Sequence, residues 1–142
     1  KVCCTKIKPY HYRRFVAESI TNTYKPDRVL QDRVVWEHLF SLKVWRGGHT
    51  EILKRAMMCR VIKSFSICCR LCFFNKENRK CFRDKMMYAK QVMNSEPYHT
   101  AFWSVRLSDL EWKLKIVALA GRLKSVWMLY FLHIAWEAVR KC

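Results

Sequence analysis

An all-α fold, as a single basic helical domain or short helical array of about five to seven helices, is what this sequence predicts. Three observations predict it. Glycine and proline number only 3 each, where average usage would give roughly ten and seven, so tight turns are few and helices long. Apolar residues recur at i, i+3 and i+4 through most of the chain, the spacing of one helix face. Hydrophobic residues make up 51% of the 142 positions, and one domain of this length buries about two-thirds of its unfolded surface.

Residues 10–23 place Tyr12, Phe15, Val16, Ser19, Ile20 and Thr23 on one face, with Arg13 and Arg14 turned outward, as a short amphipathic helix does. Asn22 to Pro26 breaks it, and Asp27 is placed to cap a second helix. That second helix spans 28–45, with Val35, Leu39 and Leu42 in one stripe and Trp36, Phe40 and Val44 beside it. So wide an apolar face predicts packing on two sides. Gly47 and Gly48 end it and Thr50 caps the next. From Glu51 to about Phe74 the spacing of Leu53, Met57, Val61, Ile67, Leu71 and Phe74 predicts one long helix or two collinear ones.

The stretch 75–80 (Asn-Lys-Glu-Asn-Arg-Lys) is the clearest polar loop. Phe82, Met86, Ala89 and Met93 then form an amphipathic stripe, and the pattern breaks around Pro97. Trp103, Val105 and Leu107 alternate with polar residues, which predicts a short extended segment. Ser108 to Glu111 has the form of a capping box, opening a helix through Leu110, Leu114 and Val117 that Gly121 ends or bends. Ser125 to Arg140 is the last helix, with Val126, Trp127, Tyr130, Phe131 and Ile134 at core spacing. Its apolar run, Val126–Trp136, is 11 residues; a membrane span needs about 20, so a buried helix is expected and no transmembrane segment.

Charge is the strongest functional signal. Lys and Arg total 28 against 11 acids, a net charge of +17. A magnitude of roughly 2 to 8 keeps a small domain soluble, and the excess destabilises a compact chain unless an anionic partner offsets it. Residues 1–71 hold 15 basic and 5 acidic residues and residues 72–142 hold 13 and 6, so the charge is no detachable tail. An ordinary solvated surface is the bland reading; burial among phosphates explains the excess better. Three clusters carry the expectation. Tyr10, Tyr12, Arg13 and Arg14 interleave rings with guanidinium groups, a mix suited to stacking on unpaired bases while gripping phosphates. Arg46, Gly47, Gly48 and His49 set an Arg beside bare backbone, followed by Lys54 and Arg55 on the next helix, as a phosphate site requires. Lys76, Arg79, Lys80 and Arg83 border the polar loop.

Parts for catalysis are missing. The sequence holds no G-x-G-x-x-G, P-loop or H-E-x-x-H, no adjacent carboxylate pair, and no two His at ligand spacing. No cofactor, small-molecule substrate or enzyme activity is expected. Of 8 cysteines, Cys59, Cys69, Cys72 and Cys81 could supply four thiolates to zinc. A single C-x2-C inside an apolar run instead reads as packing without metal. A disulfide framework does not suit so long and basic a chain, and a reducing compartment does.

Val35-Trp36-Glu37-His38-Leu39-Phe40-Ser41, with Gly47 and Glu51-Ile52-Leu53, resembles one helix–turn–helix unit of a pentatricopeptide repeat. Pro26-Asp27 and Ala118 to Leu123 resemble fragments of the same pattern, and Gly47 and Gly121 lie 74 positions apart, near two repeat lengths. The intervening unit lacks the expected Gly, and the resemblance covers about a third of the chain. It implies single-stranded RNA read by stacked helical pairs.

The leading expectation is a non-catalytic structural protein of a large ribonucleoprotein, with a mitochondrial ribosome the favoured example, bound to RNA and to neighbouring proteins. The chain opens at Lys1, not methionine, which fits a trimmed portion of a longer chain or removal of an organellar presequence. The rival expectation is a helical interaction module meeting acidic proteins or an anionic membrane surface. Aromatics at 14%, with six Trp, exceed what one small core needs, so some rings are expected at interfaces.

Overall fold

A computed structural model describes residues 23–41 and 50–139. Among these the chain is all-α: α1 (Arg28–Ser41), α2 (Thr50–Cys68), α3 (Phe82–Met93), α4 (Tyr98–Ser104), α5 (Trp112–Arg122) and α6 (Val126–Val139). Residues 10–22 of the first predicted helix, residues 42–45 of the second and the Gly47-Gly48 junction lie outside the described residues.

α2 is the axis of the fold. Its residues Val61, Ile62, Phe65 and Cys68 are buried, and α1, α4 and α5 pack on it. At Cys69 the helix widens into a π turn, Cys69–Phe73, closed by the Phe74 N–H donating to the Cys69 carbonyl at 2.9 Å. One added residue per turn rotates the following side chains, so Leu71, Cys72, Phe73 and Phe74 are all buried in succession. The long helix expected from 51 to 74 is thus one run with a changed pitch at its end.

An aromatic cluster joins the elements. The Phe65 ring lies 5.2 Å from both Tyr98 and Phe102 and 6.0 Å from Phe73. Phe73 meets Tyr88 of α3 edge-on at 5.5 Å, and Phe74 meets Tyr130 of α6 at 5.4 Å. Edge-to-face pairs of this kind add to simple burial. Gly121 lets α5 approach α4 closely: a Cβ there would sit 2.4 Å from the Phe102 ring. It lies inside α5, whose end comes at Arg122.

The α5–α6 turn closes on hydrogen bonds from Ser125 N–H to the Ala120 carbonyl and from Lys124 N–H to the Gly121 carbonyl. This is a Schellman motif, with Lys124 in the left-handed region at φ 51°. Arg122 ties α4 to α5, its Nε donating to the Phe102 carbonyl at 2.7 Å and its other nitrogen to the Val105 carbonyl.

Four sequence expectations require correction. On α1 the buried positions are Val29, Asp32 and Trp36, with Leu39 and Phe40 packed against the core, while Val34 and Val35 face solvent. Trp36, Leu39 and Phe40 lie where their spacing predicted, but a buried carboxylate occupies the centre of the face and Val35 falls outside it. The segment around Trp103 is no strand: α4 contains Trp103, and only Val105 and Arg106 are extended before a 3-10 turn at Leu107–Asp109. The capping box does not form. Leu110 is drawn into the core with an extended backbone, so α5 begins at Trp112 behind Glu111, and the Ser108 hydroxyl turns to Asp109 instead. On α6, Val126 and Leu129 are buried whereas Trp127, Phe131 and Ile134 are exposed.

Candidate RNA-binding surface

The loop 75–81 holds its cations outward because its asparagines bind inward. Asn78 is buried, and its amide donates to the Cys72 carbonyl at 2.8 Å and the Phe73 carbonyl at 3.1 Å. Those carbonyls are orphaned where the π turn stops, so the Asn78 side chain acts as its cap. The Asn78 oxygen accepts from Lys80 N–H at 3.1 Å, and the Asn75 oxygen accepts from Glu77 N–H at 2.9 Å. Glu77 in turn accepts from Tyr24 N–H at 3.3 Å. The backbone that presents Lys76, Arg79 and Lys80 is therefore ordered by its own polar residues, and all three side chains are exposed. Lys80 places its ammonium 5.3 Å from the Tyr88 ring centre, a cation–π contact. Arg83 extends the cluster into the exposed first turn of α3.

Lys54 and Arg55 are exposed near the start of α2. Lys54 pairs with Glu51 at 3.4 Å, an exposed contact of little energetic weight. Arg55 shares a cleft of about 520 Å³ with Arg60 and Lys63, across which lie Asp109 and Glu111. At 1.5 Å per helical residue this end of α2 is roughly 30 Å from the 75–83 cluster. The structure does not bring the two clusters together. It sets them toward opposite ends of the run formed by α2 and the π turn. Tyr10, Tyr12, Arg13, Arg14, Arg46 and His49 lie outside the described residues.

The four cysteines weighed as zinc ligands have separate surroundings. Cys59 donates to the Asp109 carbonyl at 3.9 Å, and Cys72 to the Pro26 carbonyl at 3.6 Å. Cys69 is buried in the π turn, and exposed Cys81 caps α3 by accepting from Asp84 N–H at 3.4 Å. Among the described residues no group of three or more His, Cys, Asp or Glu is placed to hold a metal ion.

Sequence reasoning missed the polar centre of the interior. Asp32, 5% exposed, accepts hydrogen bonds on Oδ2 from Ser64, from Cys68 at 3.4 Å and from Tyr98 at 3.4 Å. Its Oδ1 pairs with Arg28 at 3.0 Å. Burial and then the Asp32 charge push the Cys68 thiol well above its ordinary 9.0. Burial followed by Cys68 does the same to the Tyr98 phenol, and burial raises Cys69. Such thiols are protonated and unreactive, so the cluster fastens α1 and α4 to α2 without supplying a nucleophile. The usable sequence signal was the i, i+4 pair Arg28 and Asp32 on an otherwise apolar face.

The second feature missed is an exposed ring cluster where α3 and α6 meet. Phe82 lies 5.6 Å from Trp127, and Trp127 lies 6.2 Å from Phe131 with the planes only 30° apart. Excess apolar residues on α6, more than one buried face can take, were the available signal. Among the described residues no helix is long and apolar enough to cross a membrane. Comparisons with protein-family models, with curated protein sequences and with solved structures each find no significant match.

Proposed function

We propose that this protein is a non-catalytic, RNA-associated structural component of a large ribonucleoprotein, gripping RNA through its phosphates. The observation that carries the reading is the ordered loop 75–81, which spends its asparagines on the backbone and offers Lys76, Arg79 and Lys80 to solvent. The second cluster at the far end of α2 and the net charge of +17 support a partner that is long and multiply anionic. Phosphate contacts of this kind position a protein without reading sequence. A mitochondrial ribosome is the favoured example, since charge spread over both halves of the chain suits burial among phosphates on several sides.

Counterion release supplies the test. Each neutralised phosphate contributes roughly −0.7 to −0.9 to the slope of log affinity against log salt. With six or more contacts, affinity for RNA measured by fluorescence anisotropy falls about a thousandfold between 50 and 200 mM salt. Salt-insensitive binding, or tight binding to an acidic protein with none to RNA, would contradict the proposal and favour a protein-interaction module.

A further inference from the structure

Resting on that RNA reading, we infer that the exposed rings Phe82, Trp127 and Phe131 form a stacking platform for unpaired bases of single-stranded RNA. These rings are 43%, 55% and 62% exposed, large values for residues that contact one another. Tyr130 lies beneath them, 5.0 Å from Phe82 and 6.4 Å from Trp127, and is anchored to core residue Phe74 at 5.4 Å. The ring faces are therefore held in place before any ligand arrives, which lowers the ordering cost of binding.

Charge identifies the occupant. Between positions 76 and 85 the chain carries five basic residues (Lys76, Arg79, Lys80, Arg83, Lys85) against two acids, Glu77 and Asp84. Arg83 is next to Phe82, and the loop cations stand no more than six residues from it, within about 20 Å even if fully extended. On the other side Lys124 precedes Trp127 by three positions at the α5–α6 turn and is exposed. Flat apolar faces bordered by cations match the two halves of a single-stranded nucleotide, base and phosphate. An A-form duplex would leave the platform idle, because its bases are stacked inside. The aliphatic neighbours Leu123 and Ile134, also exposed, extend the apolar ground under the chain.

The experiment measures binding of the full chain to an unstructured oligouridylate of about 20 nucleotides and to a duplex RNA of equal length, across a salt series. Trp127→Ala and Phe131→Ala are each expected to weaken single-strand binding about tenfold, with the salt slope and the duplex affinity unchanged. Phe131→Leu keeps an apolar side chain and helix propensity but removes the ring, and is expected to lose as much as Phe131→Ala; Phe131→Trp retains affinity. Circular dichroism melts accompany each variant, and the Leu and Trp variants decide the matter if an alanine variant fails to fold. Salt-dependent RNA binding that ignores ring loss would overturn the platform and leave the phosphate reading standing. No RNA binding by the unmutated chain would overturn both. Full affinity in Phe131→Leu overturns stacking. Ring loss that abolishes binding to phosphatidylserine vesicles, or dissociates a dimer, while RNA affinity holds would assign the rings to that other partner and likewise overturn it.

Discussion

Asp32 is buried with four side-chain partners drawn from three helices. Removing its carboxylate leaves donors on Arg28, Ser64, Cys68 and Tyr98 facing an emptied site. Breaking a buried pair from one side costs about 3 to 5 kcal/mol. Arg28 keeps partial access to water, so Asp32→Ala is expected near the low end, about 3 kcal/mol, by urea denaturation. Gly121→Ala is a different fault: the added methyl would lie 2.4 Å from the buried Phe102 ring, so one of them must shift. Overpacking of that kind costs about 1 to 3 kcal/mol. A Gly121→Ala chain as stable as the parent would show that α4 and α5 can separate without penalty. Titration at this scale has a definite sign. Folded Cys68, Cys69 and Tyr98 hold their protons above their ordinary values of 9.0, 9.0 and 10.0, whereas the unfolded chain releases them there. The unfolded state therefore binds fewer protons, and stability falls as pH rises above about 9. Thermal midpoints between pH 7 and 11 check this. The same burial predicts that iodoacetamide modifies exposed Cys81 readily in the native protein, and Cys68 and Cys69 only after unfolding.

Elements divide into those that local pattern specifies and those that packing redirects. α2, the 75–81 loop, the break at Pro97 and the body of α3 were legible because apolar spacing and breakers agree there. At α1 the agreement is partial: Trp36 is buried as its spacing predicts, but the residue at the centre of the buried face is charged and its partners Ser64, Cys68 and Tyr98 are far away in sequence. At Ser108 a good local capping signal loses to the burial of Leu110; a core leucine contributes about 2 kcal/mol, and an N-cap only about 1. α6 misled in the opposite direction. Its spacing reads as core, but only Val126 and Leu129 are buried, while Trp127 and Phe131 remain outside. Of the candidate site, the loop cations were legible because a polar, charged stretch between helices has nowhere to go but the surface. The asparagine anchoring that orders them was not, because Asn78 looks like any loop residue until the π turn exposes two carbonyls to it.

At the scale of the whole molecule, two surfaces answer to different chemistry. One is cationic, in two separate clusters at the start of α2 and over 75–83; the other is aromatic and lies where α3 meets α6. Neither contributes to the interior, which Phe65, Phe73, Tyr98 and Phe102 hold together. Cation removal should therefore change binding and leave folding intact. The decisive measurement is the salt dependence of RNA affinity in the parent chain and in a Lys76→Ala, Arg79→Ala, Lys80→Ala triple variant of unchanged melting temperature. Three lost phosphate contacts flatten the log–log slope by about two for single-stranded RNA, with sequence preference unaltered. A triple variant whose slope equals that of the parent would contradict the proposed phosphate contacts of this loop.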